Sequence, residues 1–130
     1  MTEKNLTASL EDYLEVIYQI IQEKHGVKAV NIANRLNVNR SSVTEALKKL
    51  AEKNYVNYSK YDILSLTEEG EQVAKEVIKK HTILYNFFTK ILEIEADEAS
   101  ETACKIEHVI SDNVLNKLIS FMENYTKNME

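Results

Sequence analysis

The chain has 130 residues, 44% of them hydrophobic, with a net charge of −5, two glycines, no proline and a single cysteine. That length suits one compact unit or two associated subdomains, and the scarcity of helix breakers predicts a mainly α chain. One cysteine excludes an internal disulfide. No apolar stretch is long enough to span a bilayer and the N-terminus lacks a signal peptide's apolar core, so a cytoplasmic chain with no membrane partner is expected.

Residues 9–25, SLEDYLEVIYQIIQEKH, carry Leu10, Tyr13, Leu14, Ile17, Ile20 and Ile21 at helical spacing. Thr7 or Ser9 is suited to cap this helix and Gly26 to stop it. A short helix, AVNIANRLN, follows with Val30, Ala33 and Leu36 on one side. Asn37 or Asn39 then suits a tight turn before SSVTEALKKLAEKN, whose Val43, Ala46, Leu47 and Leu50 face inward. The period then changes to alternation: YVNYSK and DILSLT read as two strands of about half a dozen residues joined at SKYD. Three helices followed by a two-stranded hairpin is the element order of a winged helix-turn-helix. This module is assigned to residues 1–70.

Residues 71–130 are expected to form a second, helical domain. Thr67 begins the long helix TEEGEQVAKEVIKKHTILYNFFTKIL in capping-box style, although Gly70 occupies the position of the usual acid. EIEADEAS interrupts the pattern, SETACKIEHVI forms a shorter helix, and Ser111 with Asp112 caps NVLNKLISFMENY. The tail TKNME is expected to fray.

Charge separates the two halves. Residues 28–62 hold seven basic and three acidic side chains, a net of +4, which leaves −9 on the remainder of a chain whose total is −5. A basic module of winged-helix order points to double-stranded DNA. At the start of the third helix, Asn39, Arg40, Ser41, Ser42, Thr44 and Glu45 have the small polar character needed to reach base edges and phosphates. Lys48 and Lys49 one turn later neutralise backbone charge, and Lys60 with Tyr61 at the wing tip reaches the flanking groove. On an isolated helix such residues are commonly a cap and a solvated face; the complete element order favours DNA.

A second polar set lies in apolar company. Cys104, Glu107 and His108 stand at i, i+3 and i+4 in ACKIEHVIS, so a helix there projects all three from one face. Taken singly, a cysteine is more often core than ligand and a Glu-His pair is common surface. Asp12 and Glu15 form another i, i+3 pair, and His81 precedes the apolar run TILYNFF. Three carboxylates and neutral imidazoles share a site only if a cation compensates them, and mixed N/O/S ligation suits Fe(II), Mn(II), Co(II), Ni(II) or Zn(II). Spacing alone does not place Asp12 near Cys104.

EDYLEVIY, SSVTEALKKL, LTEEG, KKH and ACKIEHVIS occur in an order and spacing that resemble the diphtheria-toxin-repressor and manganese-transport-regulator family of metal-dependent transcriptional repressors, over roughly residues 8–122. The resemblance implies a homodimer with an N-terminal winged helix and a helical dimerisation domain, which binds palindromic operator DNA once a divalent metal links the first helix to the dimerisation helices. It implies that Asp12, Glu15, His81, Cys104, Glu107 and His108 are the metal ligands. EDYLE matches the family's manganese branch, whereas ACKIEHVIS matches the iron branch, which has cysteine where the other has glutamate. A thiolate favours Fe(II), with Mn(II) next and Co(II), Ni(II) or Zn(II) as surrogates.

Tyr85 and Ser100 stand where the iron branch's ancillary metal site has glutamate and histidine, so that site is expected to be absent, as is the iron branch's C-terminal SH3-like domain. Glu45 replaces the glutamine of the iron branch and predicts a shifted operator preference. No organic cofactor is implied. Two rival classes are a metal-independent winged-helix regulator of the small-molecule type and a metalloenzyme. Against the enzyme, the sequence offers no separate substrate cleft or catalytic base.

Overall fold

The computed structural model describes residues 6–23, 26–58 and 64–128. They divide into two compact units, Met1–Glu76 and Val77–Glu130. No helix among the described residues is long and apolar enough to cross a membrane.

In the first unit, α1 (Ala8–Gln22), α2 (Ala29–Leu36) and α3 (Arg40–Glu52) precede a two-stranded antiparallel ladder of β1 (Val56–Asn57) and β2 (Ser65–Leu66). The chain thus has the mainly α, winged-helix architecture that its element order predicts. Thr7 is the N-cap of α1, its Oγ1 accepting from the Leu10 N–H at 3.2 Å. The helix does not run on to Gly26. It ends at Gln22, and the Glu23 carboxylate beyond it is held by both terminal nitrogens of the Arg35 guanidinium, which fastens the end of α1 to α2.

The inward stripe of α2 is also corrected. Val30 is 42% exposed, whereas Ile32 and Ala33 are buried. A stripe through residue 30 and one through residue 32 share Ala33 and Leu36, and packing against α1 and α3 selects the bulkier isoleucine. Asn37, left-handed at φ 56°, ends the helix as the turn requires. On α3 all four expected residues, Val43, Ala46, Leu47 and Leu50, are buried, as are Leu14, Ile17 and Ile20 of α1, the helix against which α3 packs.

Among the described residues the strands pair over 56–57 and 65–66. Their outer ends are set by neighbours: Tyr55 N–H bonds to Leu50 O at 2.9 Å, completing the exit from α3, and Thr67 already belongs to the next helix cap. Residues 59–63, the inner parts of both expected strands with Lys60 and Tyr61, lie outside the described residues.

The long helix α4 (Glu68–Asn86) is divided between the two units. Thr67 starts it with three bonds: Oγ1 accepts from Gly70 N–H at 3.0 Å and donates to Asn54 O at 2.8 Å, and its N–H donates to Tyr55 O at 3.1 Å. Gly70 is what permits this approach, because a Cβ there would lie 1.9 Å from the Tyr55 carbonyl oxygen. This is why the expected capping box has glycine in place of its acid.

In the second unit α4 runs into a π-helical turn, Phe87–Ile91, and then α5 (Ala96–Ile106) and α6 (Asp112–Asn128). The interruption is shorter than EIEADEAS. It spans residues 92–95, with Glu93 left-handed at φ 59°, and α5 begins four residues before Ser100. Ser111 Oγ accepts from Val114 N–H at 3.2 Å and caps α6. Lys80 on α4 reaches Ile110 O at 3.5 Å and Asp112 Oδ1 at 3.9 Å, so it pins the start of α6. The tail is helical as far as Asn128 rather than frayed after Tyr125. Tyr125 stacks on Phe121 with centroids 6.0 Å apart, and Phe121 meets Phe87 edge-on at 6.3 Å.

Replacing a helical glycine by alanine ordinarily stabilises by about 0.5–1 kcal/mol. Gly70→Ala is expected to do the reverse, costing about 1–3 kcal/mol through overpacking against Tyr55. Thermal unfolding followed by circular dichroism checks this, and an unchanged or raised midpoint would refute the close approach.

Candidate functional site

Two polar regions stand out, one in each unit. In the first, α3 opens with Asn39 as its N-cap, the side-chain Oδ1 accepting from Ser42 N–H and from the Ser41 hydroxyl, both at 2.8 Å. Thr44 Oγ1 donates to Arg40 O at 3.1 Å. Asn39, Arg40, Ser41, Ser42, Glu45, Lys48 and Lys49 are exposed and Thr44 is half-buried, so the predicted DNA-contacting residues of α3 are open to solvent from its N-cap to its third turn. Lys60 lies outside the described residues.

Two grooves flank that end. Thr7 and Ser9 at the start of α1 line one with Ser42, Glu45, Lys49 and Lys53. Lys28, Val30 and Tyr58 line the other with Arg40. Thr7, Ser9, Lys28, Lys53 and Tyr58 were not among the residues expected to contact DNA. Their signal in the sequence is faint, since a capping hydroxyl and a strand tyrosine both have ordinary structural roles. The charge count also needs revision, because Arg35 is neutralised by Glu23, which lies just outside the basic window.

In the second unit, His81 comes from α4, Cys104 from the last turn of α5, and Glu107 is the residue that caps that helix. Glu107 keeps helical backbone angles (φ −55°, ψ −29°), so it still projects beside Cys104, whereas His108 already belongs to the turn beyond the helix. The expected three-residue helical face is therefore a helix end and its first turn. Glu107 lies 2.8 Å from His81 Nδ1 through Oε1 and 3.8 Å from His108 Nε2 through Oε2. Cys104 is exposed, with Sγ 3.7 Å from the same His81 nitrogen.

One ring nitrogen cannot donate to a carboxylate and accept from a thiol at once. The shorter contact assigns Nδ1–H to Glu107. Burial holds the His81 imidazole below its ordinary pKa, so the ring is neutral at pH 7. The ring also stacks on Tyr85, 6.3 Å between centroids.

Donor atoms of His81, Cys104 and Glu107 all lie within 4.8 Å of one another. Atoms that surround one transition-metal ion at ~2.0–2.3 Å are themselves ~3–4.6 Å apart. The three donors, one of them on a side chain with no exposed surface, match that requirement in spacing, and their N/O/S chemistry suits a metal that displaces the Nδ1 proton. In the first unit, Asp12 and Glu15 are one turn apart on α1 and both are half-buried.

Comparison with known proteins bears on both regions. Residues 5–64 match the family model "Iron dependent repressor, N-terminal DNA binding domain", and residues 67–130 match "Iron dependent repressor, metal binding and dimerisation domain". An uncharacterized HTH-type transcriptional regulator of Methanocaldococcus jannaschii is 41% identical over 121 residues, covering 92% of this chain and 97% of the relative. The HTH-type transcriptional regulator MntR of Listeria welshimeri is 34% identical over 127 residues, 95% of this chain and 89% of its own. Among solved structures, the manganese regulator SloR superposes with a TM-score of 0.81 at 30% identity, covering 91% of this chain and 55% of that one. The chain thus spans about half the length of that structural relative. With both halves matched in order, the chain belongs to the iron-dependent repressor family, the diphtheria-toxin-repressor and manganese-transport-regulator group of metal-dependent transcriptional repressors, which are regulators and not enzymes.

Proposed function

We propose that this chain is a homodimeric repressor that binds a palindromic operator when loaded with a divalent metal, and that Asp12, Glu15, His81, Cys104, Glu107 and His108 form the ligand set. The observation that carries the reading is the convergence of His81, Cys104 and Glu107 from two helices around a buried carboxylate. The family resemblance supports adding Asp12, Glu15 and His108. When bound, the cation supplies the positive charge that such a concentration of carboxylates lacks.

The roles of the side chains follow from their chemistry. As members of one set, Asp12, Glu15 and Glu107 repel one another without a cation, which leaves the recognition helices poorly set. Relief of that repulsion favours the arrangement in which two recognition helices stand one DNA turn apart, about 34 Å. A 100-fold gain in operator affinity requires only about 2.7 kcal/mol of differential binding. The Cys104 thiol, softer than a carboxylate, favours Fe(II) ahead of Mn(II). Asn39, Arg40, Ser41, Ser42, Thr44 and Glu45 face the bases and adjacent phosphates, and Lys48, Lys49 and Lys60 the backbone.

Homodimerisation is supported by the second unit, where Leu92 (50%), Val109 (79%), Val114 (54%) and Phe121 (52%) leave apolar surface exposed on an acidic module.

Operator affinity is expected to rise at least about 100-fold on adding Fe(II) under anaerobic conditions or Mn(II) to chelated protein. Equal affinity with and without metal would remove the proposal. His81→Ala and Glu107→Gln should abolish that response; a regulator of the small-molecule type would keep its behaviour in both variants. For the thiolate, Co(II)-loaded protein should show a sulfur-to-cobalt charge-transfer band that Cys104→Ser lacks, and absence of the band in the parent chain would rule out a thiolate ligand. Phe121→Glu should shift the protein towards monomer in sedimentation and weaken binding to a palindrome far more than to a half-site. A variant that sediments as the parent does would exclude that face from the interface.

A further inference from the structure

The DNA-binding reading leaves open which bases α3 prefers, and the hydrogen bonds within its first turns constrain this. Ser41, Thr44 and Glu45 stand at i, i+3 and i+4 and so share one face. A serine or threonine hydroxyl has one proton to donate and two lone pairs. The Ser41 proton is committed to Asn39 Oδ1, and the Thr44 proton to Arg40 O. What both side chains have left to offer a ligand is lone pairs. Glu45 beside them is an exposed carboxylate, an acceptor only, and among the described residues it has no hydrogen-bond or ion-pair partner.

Arg40 lines the groove shared with Lys28 and Tyr58, on the wing side. Lys49 and Lys53 line the other groove, beside the start of α1, together with Ser42 and Glu45, so donors flank the acceptor face and their charge suits the phosphate backbone.

An acid on a surface that meets a polyanion is unfavourable unless a specific donor rewards it. In the major groove, guanine shows only the acceptors N7 and O6, and thymine shows O4 and a methyl group. Cytosine N4 and adenine N6 show the donors, and a carboxylate suits the cytosine amino group in particular. Resting on the operator-binding reading above, we infer that the Ser41–Thr44–Glu45 face is an acceptor surface that reads exocyclic amino groups, and that Glu45 is the specificity-determining residue, accepting a hydrogen bond from N4 of a cytosine in each half-site. Lys48 and Lys49, three and four residues on, offset the repulsion between the carboxylate and neighbouring phosphates.

The experiment is selection of duplexes from a randomised pool by the full chain loaded with Mn(II) or Fe(II), followed by affinity measurements on the selected half-site. The parent chain should select one invariant cytosine per half-site that Glu45→Ala does not require. Replacing it with N4-methylcytosine, which still pairs with guanine, should weaken the parent chain about 10-fold and leave Glu45→Ala unchanged. Glu45→Gln, which adds a donor, should move the preference at that position towards adenine. If parent and Glu45→Ala select the same sequence, or suffer equally from methylation, the inference is overturned while operator binding stands. Failure of the metal-loaded parent chain to bind any duplex would overturn the operator-binding reading and this inference with it.

Discussion

A carboxylate with no exposed surface must be matched by a positive charge or by hydrogen-bond donors. Glu107 is in that position: its side chain is fully buried, and the imidazoles of His81 and His108 and the thiol of Cys104 are among its polar neighbours. None of these carries a permanent charge, and His81 is held neutral by its own burial. His81 Nδ1 and Glu107 Oε1 share one proton across 2.8 Å. Such a pair fixes the end of α5 against the middle of α4, and it brings donor atoms of His81, Cys104 and Glu107 within 4.8 Å of one another.

The first unit has the opposite character. The polar residues at the start of α3 are mostly exposed, and several of them are already engaged in holding the helix in place. Asn39 illustrates the economy of the arrangement: one side-chain oxygen caps the helix and also orients Ser41. The residues that begin the recognition helix therefore keep it formed and also decide which groups it presents. The pattern of committed protons narrows what the helix can recognise, in a way that residue types alone do not.

Much of this was legible in the sequence because helix periodicity is a local property. The six helices, the caps at Thr67 and Ser111, Thr7 as one of two cap candidates, and the inward residues of α3 follow from spacing and capping chemistry. The misses have tertiary causes. Which stripe of the two-turn α2 faces inward depended on what α1 and α3 could accommodate. The outer ends of the strands were set by the α3 exit and the Thr67 cap, which take Tyr55 and Thr67 out of the ladder. Nothing in the local pattern of NFFTKIL distinguishes an α-helical from a π-helical turn. The difference there accompanies the contact of Phe87 with Phe121, 34 positions away in the chain.

The same division applies to the site. The sequence by itself determined the donor types, their helical spacing within ACKIEHVIS, and the basic and acidic halves, because residue identity and short-range geometry suffice for each. Only the tertiary structure decided that His81 meets Cys104 and Glu107, that Glu107 is the buried member while the cysteine is exposed, and that Arg35 is tied to Glu23 rather than left for DNA. It also decided that the hydroxyls of Ser41 and Thr44 donate to Asn39 Oδ1 and Arg40 O. These are matters of distance between separate elements and of where each proton is placed, and neither is encoded in spacing along one helix.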